Sequence, residues 1–193
     1  LKYKIMFDRI ETGTYMIASV LTGGKLKIIN VDAKIINTEI NILKKIGAKI
    51  KIKDNEINIK GTGKIKSLKL KTSPYPGFPT DLQAQLMVLL CKANGRSEIC
   101  EKIFENRFMH ASELNRMGAK IKIIGNRAII EGNANFNPAE LMATDLRASV
   151  SLILAALSTK GKSIINRIYH LDRGYEKIEK KLRKVGANIK RIH

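Results

Sequence analysis

An α/β fold of three repeated βαβαββ-like units, forming a pseudo-threefold domain with buried helices inside and sheets outside, is what this sequence predicts. Three observations carry the prediction. The strings "LKKIGAKIKI" (43–52), "LNRMGAKIKI" (114–123) and "LRKVGANIKR" (182–191) end alike, their glycines Gly47, Gly118 and Gly186 lying 71 and 68 positions apart. Apolar helix starts also recur, at 11–26, 79–99 and 143–164, with Asp81 and Asp145 64 positions apart and Gly13 standing 68 before Asp81. Between these landmarks the chain alternates Lys and Ile in the period-2 manner of strands with one solvated face. A repeat near 70 residues is too long for the common solenoids, so a closed domain fits better.

Each unit is read in the same order. An apolar helix runs to a glycine turn at Gly23–Gly24, Gly95 or Gly161, and a short strand follows in "KLKIIN", "RSEICE" or "KSIINR". A second, amphipathic helix comes next; in the first unit Ile40, Leu43 and Ile46 share one face, and the helix stops at its glycine. In the first two units a hairpin then turns at Asp54–Asn55 and at Gly125–Asn126. The third unit reaches His193 before such a hairpin can return. The units are placed at about 8–72, 73–137 and 138–193. The stretches 82–90 and 146–157 are apolar nearly all round, which predicts buried helices.

The 193 residues are 44% hydrophobic and 27% charged, a globular composition with enough apolar side chains for a core. No apolar run approaches the roughly 18 residues that span a bilayer. The net charge of +19 suits a polyanion. However, the lysines are scattered through strand patterns such as "KIKIK" (49–53), as solvated faces would be, and this argues against nucleic acid as a partner. Cys91 and Cys100 form no CxxC pair and His110, His170 and His193 are isolated, so two reduced thiols and no metal site are expected.

Candidate chemistry gathers at the helix entries. Thr80–Asp81 and Thr144–Asp145 have the residue types of N-caps. Yet "TSPYPGFPT" (72–80), stiffened by three prolines, constrains the approach to Asp81 more than a cap requires. Arg107 and Arg173 precede second helices and Arg147 begins the third buried helix. Together they suit a carboxylate or phosphate, because guanidinium groups bind both bidentately. Taken singly they suit surface ion pairs, with Glu105 and Asp172 as local partners.

The strings "DRIETGT", "FPTDLQAQ", "FENRFMH", "MATDLRAS" and "RIYHLDRGYE", in this order, resemble the UDP-N-acetylglucosamine 1-carboxyvinyltransferase family of enolpyruvyl transferases. The resemblance runs from Asp8 to the end. It implies two similar domains with an active site in the cleft between them, and transfer of the enolpyruvyl group of phosphoenolpyruvate to the 3-hydroxyl of UDP-N-acetylglucosamine. That reaction is a cytoplasmic step of peptidoglycan synthesis and needs no cofactor. Asp81 then corresponds to the carboxylate beside the sugar hydroxyl, Ile103 to a backbone contact of the nucleotide sugar, and Arg107 and Arg173 to arginines facing phosphoenolpyruvate. Asp145 and Arg147 correspond to a supporting pair in the cleft. The family's N-terminal domain, with its proton-donating cysteine loop, has no counterpart here, so this chain alone is expected to be inactive. The alternatives are a non-catalytic remnant that binds polyanions and the shikimate-pathway relative.

Overall fold

A computed structural model describes residues 1–3 and 5–192; His193, read above as an isolated histidine at the end of the third unit, lies outside them. Helix α1 (Arg9–Leu21) leads to strand β1 (Lys25–Ile29), helix α2 (Asn37–Lys45) and the hairpin β2 (Lys49–Lys53) and β3 (Glu56–Lys60). The second passage is β4 (Lys69–Lys71), α3 (Gln83–Cys91), β5 (Ser97–Cys100), α4 (His110–Arg116), β6 (Lys120–Ile124) and β7 (Arg127–Glu131). The third is β8 (Glu140–Met142), α5 (Leu146–Leu157), β9 (Ile164–Asn166) and α6 (Ile178–Lys184), with no hairpin after α6 among the described residues. The first sheet, β1-β3-β2, is antiparallel throughout. In the second, β4-β5-β7-β6, β4 joins β5 in parallel; the third is the parallel pair β8-β9. Strand β4 lies inside the stretch assigned from sequence to the first unit, yet it pairs with β5 of the second.

Local chemistry explains the element ends. Gly47, Gly118 and Gly186 follow α2, α4 and α6 with φ of 113°, 98° and 99°, a region L side chains avoid, so each helix stops there. The second hairpin turns through Gly125 at φ 56°, the first through Asp54 at φ 49°.

The core forms around the helices. Every residue of α3 is buried, and α3 packs against α1 and α5. Each fully buried Leu, Met or Val there contributes about 1.5–3 kcal/mol. Gly13 permits the close approach of α1, since a Cβ at that position would stand 2.4 Å from Leu82 Cδ1. A second apolar cluster, including Val150, Leu171, Tyr175 and Leu182, fastens α6 to α5. The sheets lie outside. In the first, register sets Lys25, Lys60 and Lys49 side by side, then Lys27, Asn58 and Lys51, then Ile29, Glu56 and Lys53, with Ile57 and Ile59 of the opposite face buried in the core.

Candidate active site

The proline-rich loop delivers Asp81 to the head of α3. Arg9 at the start of α1 donates to the Gly77 carbonyl (2.9 Å) and Thr38 of α2 donates to the Pro76 carbonyl (2.5 Å), so two helices hold the loop. Thr80, Asp81 and Leu82 then form a 3-10 turn, which shifts the α-helix start to Gln83. The Asp81 side chain therefore caps neither the turn nor α3, and the capping reading is corrected for this residue. Its Oδ1 accepts from Arg107 Nη2 (2.7 Å) and its Oδ2 from Arg147 Nη2 (2.9 Å), with the side chain 37% exposed. Asp145 does cap: its Oδ1 accepts from the amides of Arg147 (2.8 Å) and Ala148 (2.9 Å). The two similar strings thus use their acids differently.

The arginines are held unequally. Arg147 is the second residue of α5, its Nη1 donates to the Tyr175 hydroxyl (3.4 Å), and its guanidinium carbon lies 5.8 Å from the centre of that ring. Arg107 lies in the irregular segment between β5 and α4, 4.8 Å from the centre of the exposed Phe104 ring. Buried Glu101 ties this segment to the Asp81 turn. Its Oε1 accepts from Thr72 Oγ1 (2.7 Å), the Ile103 amide (2.8 Å) and the Phe104 amide (3.2 Å), and its Oε2 accepts from Thr80 Oγ1 (2.9 Å). Ile103 is consequently presented at the surface with its amide already engaged.

The structure brings Asp81, Arg107 and Arg147 into one cluster. Asp145 sits at the head of the same helix as Arg147, its Oδ1 committed to the backbone. Arg173 ends the turn Ile168–Arg173, exposed, and among the described residues it makes no ion pair. The local partners expected from sequence are also corrected. Arg107 pairs with Asp81 instead of Glu105, and Asp172 pairs with Arg191 (2.8 Å) instead of Arg173.

Beneath the cluster lies a polar node that sequence reasoning missed. The hydroxyl of Tyr175, a residue 1% exposed, meets Thr14 Oγ1 (2.8 Å) and Gln85 Nε2 (3.3 Å), and Gln85 Nε2 also donates to the Asp81 carbonyl (3.0 Å). The available signal was Thr14 in α1 and Gln85 in α3, two of the polar side chains that these largely buried helices carry. Burying such groups costs free energy unless they are hydrogen-bonded, as Thr14 Oγ1 and Gln85 Nε2 are here.

Burial alone would raise the Asp81 carboxyl's pKa. The bonds and charges of Arg147 and Arg107 outweigh it and hold the group below the ordinary Asp value. One carboxylate between two guanidiniums leaves surplus positive charge, which suits an anion. His110, at the start of α4, is buried and its pKa is pushed down to about 4 by loss of water. Burial pushes the Cys91 thiol up to about 12, which removes it as a nucleophile. Among the described residues no three His, Cys, Asp or Glu side chains are grouped to hold a metal, and no helix is long and apolar enough to cross a membrane.

Comparison with known proteins gives a consistent result. The profile of the family described as EPSP synthase (3-phosphoshikimate 1-carboxyvinyltransferase) matches residues 1–182. The UDP-N-acetylglucosamine 1-carboxyvinyltransferase of Pelagibacter ubique is 74% identical over 193 residues, all of this chain and 46% of the relative's length. The protein of the same name from Geotalea daltonii is 53% identical over 190 residues, 98% of this chain and 46% of the relative. The crystal structure of the enolpyruvyl transferase NikO from Streptomyces tendae superposes with a TM-score of 0.88 at 28% identity, covering 97% of this chain and 45% of that one. The chain therefore spans about half the length of the curated relatives it matches.

Proposed function

The chain belongs to the EPSP synthase family, and on that premise we propose that it supplies one half of an active site that moves the enolpyruvyl group of phosphoenolpyruvate to the 3-hydroxyl of UDP-N-acetylglucosamine. The observation that carries the reading is the Asp81 carboxylate set between Arg107 and Arg147, at 2.7 and 2.9 Å. The choice of acceptor is supported by the shared name of relatives at 74% and 53% identity. As proposed, the reaction is cytoplasmic and belongs to peptidoglycan precursor synthesis.

A sugar hydroxyl is a weak nucleophile, so a carboxylate within about 2.6–3.2 Å is needed to take its proton. In the proposed reaction Asp81 accepts that proton as the hydroxyl oxygen bonds to C2 of phosphoenolpyruvate. C3 gains a proton from an acid that the resemblance implies on the other domain. The tetrahedral adduct then loses a proton from C3 and phosphate from C2, which restores the double bond. Arg107 and Arg173 neutralise the carboxylate and phosphate during this charge movement, while Arg147 supports the site through Asp81. Ile103 presents its backbone to the nucleotide sugar, and Asp145 supports the head of α5. Closure against the other domain excludes water from the adduct.

The test is a chimera in which this chain replaces the matched part of the Pelagibacter ubique relative. Phosphate release from phosphoenolpyruvate is expected with UDP-N-acetylglucosamine as acceptor. Asp81→Asn is expected to lower kcat by roughly 10²–10⁴-fold, the range of a lost general base. A folded but silent chimera, or one that accepts 3-phosphoshikimate instead, overturns the reading.

A further inference from the structure

We propose that Arg107 is an exchangeable cover on Asp81 Oδ1, drawn off by the phosphoenolpyruvate anion, so that this oxygen is bared for the acceptor hydroxyl only when the anion is in place. The inference rests on the function proposed above and concerns the regulation of that same site.

Three observations carry it. First, each carboxylate oxygen has its own guanidinium, Oδ1 that of Arg107 at 2.7 Å and Oδ2 that of Arg147 at 2.9 Å. A proton accepted at Oδ1 with Arg107 still attached would sacrifice a charge-assisted bond in the same step. Second, the two tethers differ. Arg147 is rooted in a capped helix and braced by the buried Tyr175 hydroxyl and ring. Arg107 sits in a segment with neither helix nor strand, which Glu101 fastens at the Ile103 and Phe104 amides but not at Arg107 itself, and its guanidinium lies over the exposed ring of Phe104. Arg107 is therefore the arm that can move while Arg147 keeps the carboxylate oriented through Oδ2. Third, the cluster carries two cations against one anion, so an incoming multivalent anion binds a guanidinium without leaving Asp81 unpaired. In the free protein, burial of Asp81 is outweighed by both arginines; with Arg107 withdrawn, one of the two opposing influences is gone and the carboxylate becomes a stronger base.

The experiment is a double-mutant cycle on phosphoenolpyruvate binding by the chimera, read by calorimetry without the sugar acceptor. If Arg107 must leave Asp81 to hold the anion, Asp81→Asn tightens binding roughly five- to tenfold when Arg107 is present, the order expected for a part-buried ion pair. The same substitution in an Arg107→Gln background is expected to leave the affinity within about twofold. Arg107→Lys, which keeps the charge but loses the fork, is the second background if the glutamine variant does not fold. An equal gain in both backgrounds would reveal general electrostatics and overturn the exchange, as would no gain, or no anion binding by the unsubstituted chimera. Loss of turnover with the sugar acceptor defeats the functional reading. Intact turnover with a background-independent gain defeats the exchange alone.

Discussion

Replacing Tyr175 by Phe isolates one oxygen that joins three parts of the chain. Thr14 Oγ1 donates its single proton to the Ile10 carbonyl (2.9 Å), so towards Tyr175 (2.8 Å) it must accept, and the phenol is the donor. The phenol oxygen in turn accepts from Gln85 Nε2 (3.3 Å) and Arg147 Nη1 (3.4 Å), both long bonds. Deleting the oxygen orphans none of these groups completely. Thr14 keeps Ile10 and Gln85, Gln85 keeps the Asp81 carbonyl, and Arg147 keeps the Asp81 carboxylate. The expected loss is therefore one good buried bond and two weak ones, about 1–2 kcal/mol, well below the cost of a stranded charge. For a chain of this length that lowers Tm by roughly 2–8 °C. Urea unfolding of the chain is the assay, with a lower midpoint at unchanged m. An unaltered midpoint would mean that the node contributes nothing, and a loss above about 4 kcal/mol would mean that the ring's packing, not its hydroxyl, had been disturbed.

Two further outcomes concern stability. His110 has a folded pKa of about 4 against an ordinary 6.5, so between these values the unfolded chain binds more protons and stability falls as pH drops through that window. The total is about 3 kcal/mol, visible as a falling urea midpoint that His110→Gln flattens; an already flat profile in the unsubstituted chain would contradict a buried neutral imidazole. Asp145→Ala removes the cap of α5 and is expected to cost about 1 kcal/mol in urea unfolding, while Asp145→Asn costs a few tenths; equal losses would refute capping as its structural role.

Period and punctuation made most of the fold legible. Glycines at 47, 118 and 186 end their helices, and the all-apolar run from Leu86 to Leu90 is buried. Strands β4 and β8, of three residues each, have no period long enough to read. The candidate cluster was legible as residue types but not as pairs. Arg107 finds its acid 26 residues upstream and Arg147 finds the same one 66 residues away, distances at which only the packed helices determine neighbours. Glu105 and Asp172, the nearest acids along the chain, were the natural partners by sequence proximity, but backbone direction in irregular segments does not follow proximity. Asp81 and Asp145 look interchangeable as letters, and a single 3-10 turn separates their uses.

The outer face of the first sheet has a bearing on how copies of this molecule behave in crowded solution. Lys25, Lys60 and Lys49 stand abreast, on strands about 4.8 Å apart, inside the screening distance of about 8 Å at physiological ionic strength. Such a row repels its own kind and resists dehydration. The alternating lysines at 49, 51 and 53 also lie along an outermost strand, where they make it a poor template for adding a foreign one. Mutual repulsion thus keeps neighbouring molecules from stacking sheet on sheet, and added salt weakens that protection.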